Sequence, residues 1–154
     1  MESRFETMIT KYSQLVYRCA YGYCKNREDA EDIMQEVYYK YLTKAPIFND
    51  EQHERAWFLR VTINLSKNYV KTFWRKKVDT LEQDIPHITE EEKGVWDVIH
   101  QLPNKYRIVI ELHYIEGYSI KEIAEILKRK QSTIGTWLER GKKKLEAEWR
   151  SYNE

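Results

Sequence analysis

Ser119 to Leu145, SIKEIAEILKRKQSTIGTWLERGKKKL, constrains this chain most: two amphipathic helices sharing a turn too short to hold them apart. Ser119 can cap the first helix by accepting from a free N–H of its opening turn. Glu122, three residues on, can reach back to the Ser119 N–H and complete a capping box. Behind the cap, Ile120, Ile123, Ala124 and Leu127 recur at helical spacing on one face. Ile134, Leu138, Gly141, Leu145 and Trp149 form a second stripe at steps of three and four. Gly117 suits the left-handed position that closes the preceding helix. Between the stripes, Lys128-Arg129-Lys130-Gln131 is too polar for core and too short for a linker. The pattern is that of a helix-turn-helix, whose second helix enters the DNA major groove. Packed helices with a solvated basic face have the same outline, so charge has to separate the two. Lys128 to Lys144 holds seven basic residues and one acid, Glu139, which is the excess that phosphate contacts require.

The rest of the chain reads as helices too. Five glycines and three prolines in 154 residues leave little room for long irregular segments. Residues 2–23 predict a helix with Phe5, Met8, Ile9, Tyr12, Leu15, Val16, Cys19, Ala20 and Tyr23 on a broad apolar face, ended by Gly22 and Asn26. Asn26 suits the cap of the next helix, 27–43, which buries Ala30, Ile33, Met34, Val37, Tyr41 and Leu42. Its other face, with Asp32, Gln35, Glu36, Tyr39 and Lys40, fits either solvent or a partner. Ala45-Pro46 breaks it, residues 44–51 form a loop, and Asn49 or Asp50 caps a long helix to about Lys77. That helix places Ala56, Trp57, Leu59, Val61, Ile63, Leu65, Tyr69, Val70 and Phe73 at apolar positions. Arg60 to Lys77 carries six basic residues and no acid. With Tyr69, Phe73 and Trp74 interleaved, this fits either a single-strand binder or a core face beside solubilising charges. Val78 to Glu92 carries six acids and no Lys or Arg, and residues 78–88 read as a linker. Thr89 and Glu92 form a second capping box, starting a helix through Leu102. Pro103 suits the first turn of another, which runs to Glu116 and buries Tyr106, Ile108 or Val109, Leu112 and Ile115. The fold class expected is all-α, with two small helical domains at 1–77 and 89–152 joined by the acidic linker 78–88.

Four motifs in order resemble the extracytoplasmic-function (ECF) group of bacterial RNA polymerase sigma factors, over nearly the whole chain. They are Asp29-Ala30-Glu31-Asp32-Ile33-Met34-Gln35-Glu36-Val37-Tyr38; Arg55-Ala56-Trp57-Phe58-Leu59-Arg60-Val61-Thr62-Ile63-Asn64-Leu65 with the basic helix after it; Leu102-Pro103 followed by Glu116-Gly117-Tyr118-Ser119; and Glu122-Ile123-Ala124-Glu125-Ile126-Leu127 with Thr133-Ile134 and Arg140. The resemblance implies that the domains are a region 2-like and a region 4-like unit. Asp32, Gln35, Glu36 and Tyr39 then meet core RNA polymerase at the clamp helices of its largest subunit, and the flap is a further polymerase contact. Arg60, Asn64, Lys67, Asn68 and Lys71 line the path of the minus-ten strand, and the loop at 44–51 corresponds to one that holds a flipped base. Lys130, Gln131, Ser132, Thr133, Thr136, Arg140 and Lys143 address the minus-thirty-five element. The resemblance also implies an anti-sigma factor that wedges between the domains, and passage of the linker near the template channel. Several positions depart from the family pattern. Lys128 stands where glycine is usual, Lys130 where a small cap is usual, and Gly135 and Trp137 where polar or basic side chains are usual.

No catalytic residues, metal or cofactor are expected. His53, His87, His100 and His113 are scattered, no carboxylates accompany them at ligand spacing, and no glycine-rich phosphate loop is present. Cys19 and Cys24 are too few for a disulfide framework. No apolar run approaches a membrane span, and the first residues lack the apolar core of a signal peptide, so a cytoplasmic protein without membrane insertion is expected. The rival readings are a stand-alone helix-turn-helix regulator, which leaves the first 77 residues without an assigned role, a nucleic-acid-processing enzyme, and a polymerase-bound cofactor that has lost promoter melting.

Overall fold

The computed structural model of the protein describes the backbone of residues 3–76 and 94–152 and the side chains of 3–72 and 94–151. The expected linker at 78–88 and the Thr89–Glu92 capping box lie outside the described residues. Their regular structure is all helix, with no strand among the described residues. They belong to two units, one within Met1–Pro86 and one within His87–Glu154.

The first unit packs α1 (Arg4–Cys24), α2 (Arg27–Lys44) and α3 (Glu51–Lys76) against one another. Each helix starts on a side-chain cap, which satisfies N–H groups that the helix itself cannot. The Ser3 hydroxyl accepts from the Glu6 N–H at 3.1 Å while the Glu6 carboxylate accepts from the Ser3 N–H at 3.2 Å. Asn26 Oδ1 accepts from the Asp29 N–H at 2.9 Å, and Asp50 Oδ1 from the His53 N–H at 2.7 Å. Asp50 rather than Asn49 therefore caps α3. The helix ends differ from expectation. Gly22 lies buried inside α1, and Lys25 takes the left-handed closing position at φ 60°. Ala45 does the same for α2 at φ 42°.

Phe58 sits at the centre of this unit with no exposed surface. Tyr12 of α1 stacks on it at 4.3 Å between ring centres, Tyr41 of α2 lies at 5.6 Å, and Trp57 meets it edge-on at 5.0 Å. Phe48, in the loop before α3, reaches the same cluster at 5.9 Å from Trp57. The inward face of α3 is Phe58, Leu59, Thr62, Ile63 and Ser66, not the run with Val61 and Leu65 that apolar residues alone suggest. Thr62 fits inside because its hydroxyl donates to the Phe58 carbonyl at 2.6 Å. On α2, Tyr38 is buried, Met34 is half-buried and Leu42 is 54% exposed.

The second unit contains α4 (Val95–Gln101), α5 (Asn104–Ile110), a π-helical turn (Glu111–Ile115), α6 (Ile120–Leu127) and α7 (Gln131–Tyr152). Pro103 sits just before α5 rather than in its first turn, and its carbonyl accepts from the Arg107 N–H at 3.0 Å. The expected single helix to Glu116 widens at its end, where the Glu116 N–H donates to the Glu111 carbonyl at 2.9 Å. Five-residue hydrogen bonding inserts an extra residue into the turn and changes its phase. Ile115, expected inside, is accordingly 37% exposed. Arg107 and Glu111 are buried instead, with Arg107 Nη1 donating to Glu111 Oε1 at 3.1 Å and Nη2 to Asn104 Oδ1 at 3.4 Å.

Two glycines of α7 have opposite surroundings. A Cβ on Gly141 would lie 2.9 Å from Ile110 Cδ1 and 3.1 Å from Tyr106 Cβ, whereas one on Gly135 would meet nothing within 4 Å. Gly141 is what lets α7 lie close against α5. Gly141→Leu is expected to cost about 1–3 kcal/mol through overpacking. Gly135→Ala is expected to add up to about 1 kcal/mol through helix propensity. Urea unfolding of the two variants checks this, and midpoints that move in the same direction would refute the packing assignment.

Candidate nucleic-acid interfaces

Three helix faces remain outside the two cores. The first lies on α2. Asn26 caps this helix, and its Nδ2 also donates to the Asp29 carboxylate at 2.6 Å, which the Tyr69 hydroxyl of α3 reaches as well. Burial first, and Asp29 second, hold the Tyr69 phenol above its ordinary pKa range. With the start of α2 fixed to α3 and its Ala30, Ile33, Val37 and Tyr41 stripe inside, Asp32, Gln35, Glu36 and Tyr39 project outward at steps of three and four. All four are exposed, Tyr39 to 68%. Among the described residues neither Asp32 nor Glu36 has an ion-pair partner. Two like charges four residues apart cost a helix about 0.2–0.5 kcal/mol, a small cost that a cationic partner would reverse.

The second face lies on α3, opposite the Phe58 stripe. Asn64, Lys67, Asn68 and Lys71 are exposed there and Arg60 is half-buried at its edge. Tyr69, one of the rings considered for stacking on bases, is instead half-buried and tied to Asp29. The side chains of Phe73 and Trp74, the other two, lie outside the described residues. The loop ahead of α3 is held at its start by the Ala45 N–H donating to the Tyr41 carbonyl at 3.0 Å, and at its end by Phe48 in the aromatic cluster and the Asn49 N–H donating to His53 Nδ1 at 3.1 Å. Ile47, just before Phe48, stands 86% exposed.

The third face begins at Ser119, whose capping box forms as expected. The Glu122 N–H donates to its hydroxyl at 3.1 Å and its own N–H donates to Glu122 at 3.0 Å. Ile123, Ala124 and Ile126 are buried on α6, while Ile120 is 37% exposed. Lys128 closes α6 in the left-handed conformation at φ 55°, which costs a residue with a Cβ about 1 kcal/mol relative to glycine. Lys130 occupies the cap position of α7, where its carbonyl accepts from the Ile134 N–H at 3.1 Å. Its side chain has no acceptor for the free N–H groups of the first turn. Ile134, Leu138 and Gly141 are buried, so Ser132, Thr136, Arg140 and Lys143 point away from the core. Lys130 and Gln131 are exposed at the helix start and Thr133 is half-buried. The Thr136 hydroxyl donates to the Ser132 carbonyl at 2.9 Å. Lys143 approaches Glu139 at 3.7 Å, with both side chains more than 70% exposed, and such a pair contributes little.

Leu145 is half-buried and Trp149 is 40% exposed, so the inward stripe of α7 fades toward its end. One further residue joins this face with no periodic signal in the sequence to place it there. Arg129 lies in the turn, and its guanidinium sits 5.8 Å from the centre of the Trp137 ring. The two are eight positions apart across a turn, a spacing at which no helical periodicity brings residues together. Among the described residues, no cluster of three or more His, Cys, Asp or Glu is placed to hold a metal ion. No helix among them is long and apolar enough to cross a membrane.

Residues 8–76 match the family model of sigma-70 region 2, and residues 93–145 match that of sigma-70 region 4. The RNA polymerase sigma factor SigV of Bacillus subtilis is 27% identical over 144 residues, spanning 89% of this chain and 86% of the relative. SigZ of the same organism, also an RNA polymerase sigma factor, is 30% identical over 125 residues, spanning 75% of this chain and 69% of its own. Among solved structures, the sigma factor RpoE of Bartonella quintana, crystallised with the anti-sigma factor NepR, superposes with a TM-score of 0.78. It covers 93% of this chain and 94% of its own at 18% identity, a likeness of fold.

Proposed function

The chain belongs to the RNA polymerase sigma factors of the ECF group, and we propose that it binds core RNA polymerase, directs it to specific promoters and assists their melting. The observation that carries this reading is the order of the two family matches, region 2 over residues 8–76 and region 4 over 93–145. A stand-alone regulator leaves the first of these spans without a role. The α2 face of Asp32, Gln35, Glu36 and Tyr39 is the polymerase contact, its carboxylates complementing basic groups. The α3 face of Arg60, Asn64, Lys67, Asn68 and Lys71 holds the minus-ten strand. Lys130, Gln131, Ser132, Thr133, Thr136, Arg140 and Lys143 of the α7 face read the minus-thirty-five element. The protein performs no chemistry of its own, using neither cofactor nor metal, and works in the cytoplasm. An anti-sigma factor is its partner, as one accompanies the neighbour of like fold in its crystal.

Size-exclusion chromatography with bacterial core RNA polymerase tests the reading. The wild-type chain is expected to co-elute with the enzyme. The variant Asp32→Ala/Gln35→Ala/Glu36→Ala is expected to bind at least about ten-fold more weakly, a loss of roughly 1.4 kcal/mol. All three side chains are exposed, so the variant keeps its fold. Failure of the wild-type chain to bind a competent core from the same source would sink the proposal.

A further inference from the structure

Trp137 is out of pattern on α7. It stands where the family resemblance expects a polar side chain, yet its indole is half-buried and faces a cation. The guanidinium carbon of Arg129 lies 5.8 Å from the ring centre, within the range at which an aromatic quadrupole attracts a charge. Both ends of the pair are held. Arg129 donates its backbone N–H to the Ala124 carbonyl at 3.0 Å and lies between left-handed Lys128 and the α7 cap residue Lys130. Trp137 sits on a helix fixed by buried Ile134 and Leu138.

We propose that Arg129 contacts a DNA phosphate beside α7 and that Trp137 is the positioning residue that holds its guanidinium there. The proposal rests on α7 being the helix that enters the groove. An exposed arginine ordinarily samples many rotamers. Held over an indole, its planar group is restrained, and its N–H fork has the geometry that matches phosphate oxygens. Successive residues are about 100° apart around a helix, so Trp137 flanks the outward line of Thr136 and Arg140. A cation at that flank meets the wall of the groove, where the backbone runs, rather than the base edges on its floor. In this chain the turn supplies the charge and the helix supplies the platform.

Phosphate contacts are independent of sequence, so the test needs no known promoter. The full chain is titrated into a fluorescein-labelled duplex of mixed sequence, followed by anisotropy over a series of salt concentrations. Arg129→Ala is expected to weaken binding about three- to ten-fold and to flatten the log affinity against log salt slope by about 0.9. Trp137→Ala should weaken binding in the same direction, the double variant should be no weaker than Arg129→Ala, and Trp137→Phe should recover most of the loss. An unchanged salt slope in Arg129→Ala overturns the proposal, as do additive effects in the double variant or a Trp137→Phe no better than Trp137→Ala. Arg129 is exposed in the turn, so its variant decides the matter even where Trp137 variants lose stability. A wild-type chain without measurable duplex affinity overturns the reading of α7 as well. A wild-type chain that binds, with Arg129→Ala unaltered, overturns only the phosphate contact.

Discussion

Phe58→Ala is expected to destabilise the N-terminal unit by about 3–5 kcal/mol, enough to leave a domain of this size near its unfolding threshold. The ring has no exposed surface and contacts aromatic side chains from both other helices, from its own helix and, through Trp57, from the loop carrying Phe48. Alanine would leave a cavity between surfaces that cannot all collapse, because each ring is also held elsewhere. The Tyr12 hydroxyl, for example, donates to Glu54, and burial together with that carboxylate holds its phenol above the ordinary range. Amide hydrogen exchange resolved by helix is the measurement. Protection should fall throughout α1, α2 and α3 while α4 to α7 keep theirs. Protection retained in α1 would mean that the cluster does not hold the unit together.

The second large effect is expected at Arg107. Its side chain is fully buried and paired with Glu111, whose side chain is 11% exposed. Arg107→Met keeps much of the stem but leaves that carboxylate in the interior without this guanidinium, and breaking a buried pair in this way typically costs about 3–5 kcal/mol. Replacing both charges is a different experiment. Arg107→Met/Glu111→Leu removes the desolvation cost along with the attraction and should recover most of the loss. Urea unfolding of the single and double variants closes the cycle. An Arg107→Met variant within about 0.5 kcal/mol of wild type, the range of ordinary surface changes, would show that the pair contributes little.

The Arg107 pair also shows where the sequence stops being informative. An Arg and a Glu four apart on a helix look like a solvent-facing pair, and nothing local signals that all of 106–112 is buried or that a widened turn follows Ile110. The same turn carries Ile115 out to the surface, against a helical period that counts on four-residue hydrogen bonds. Phe58 was obscured for another reason. The run Trp57 to Leu65 is so rich in apolar residues that it supports several phases, and only packing against α1 and α2 selects the one that places Thr62 inside. Caps were easier to read, because Ser119 with Glu122 and Asn26 before Glu28-Asp29 carry their chemistry within four residues. Helix ends were not, since Lys25, Ala45 and Lys128 all adopt left-handed backbone without the glycine that would advertise it. The outward faces on α2, α3 and α7 follow from periodicity once the inward face of each helix is known. The Arg129–Trp137 pair does not, because a turn intervenes.

On the proposed reading of α7 as the helix that meets the minus-thirty-five element, Gly135 leaves a vacancy along it. In most proteins a new recognition contact competes with stability, since the side chain that makes it must be fitted into space already occupied. Here the adjacent space is open, and almost any residue is a better helix former than glycine. Acquiring a base contact and strengthening the scaffold are therefore the same mutational step. On that same reading, a lineage carrying this glycine would change its set of target genes by single substitutions that the fold welcomes.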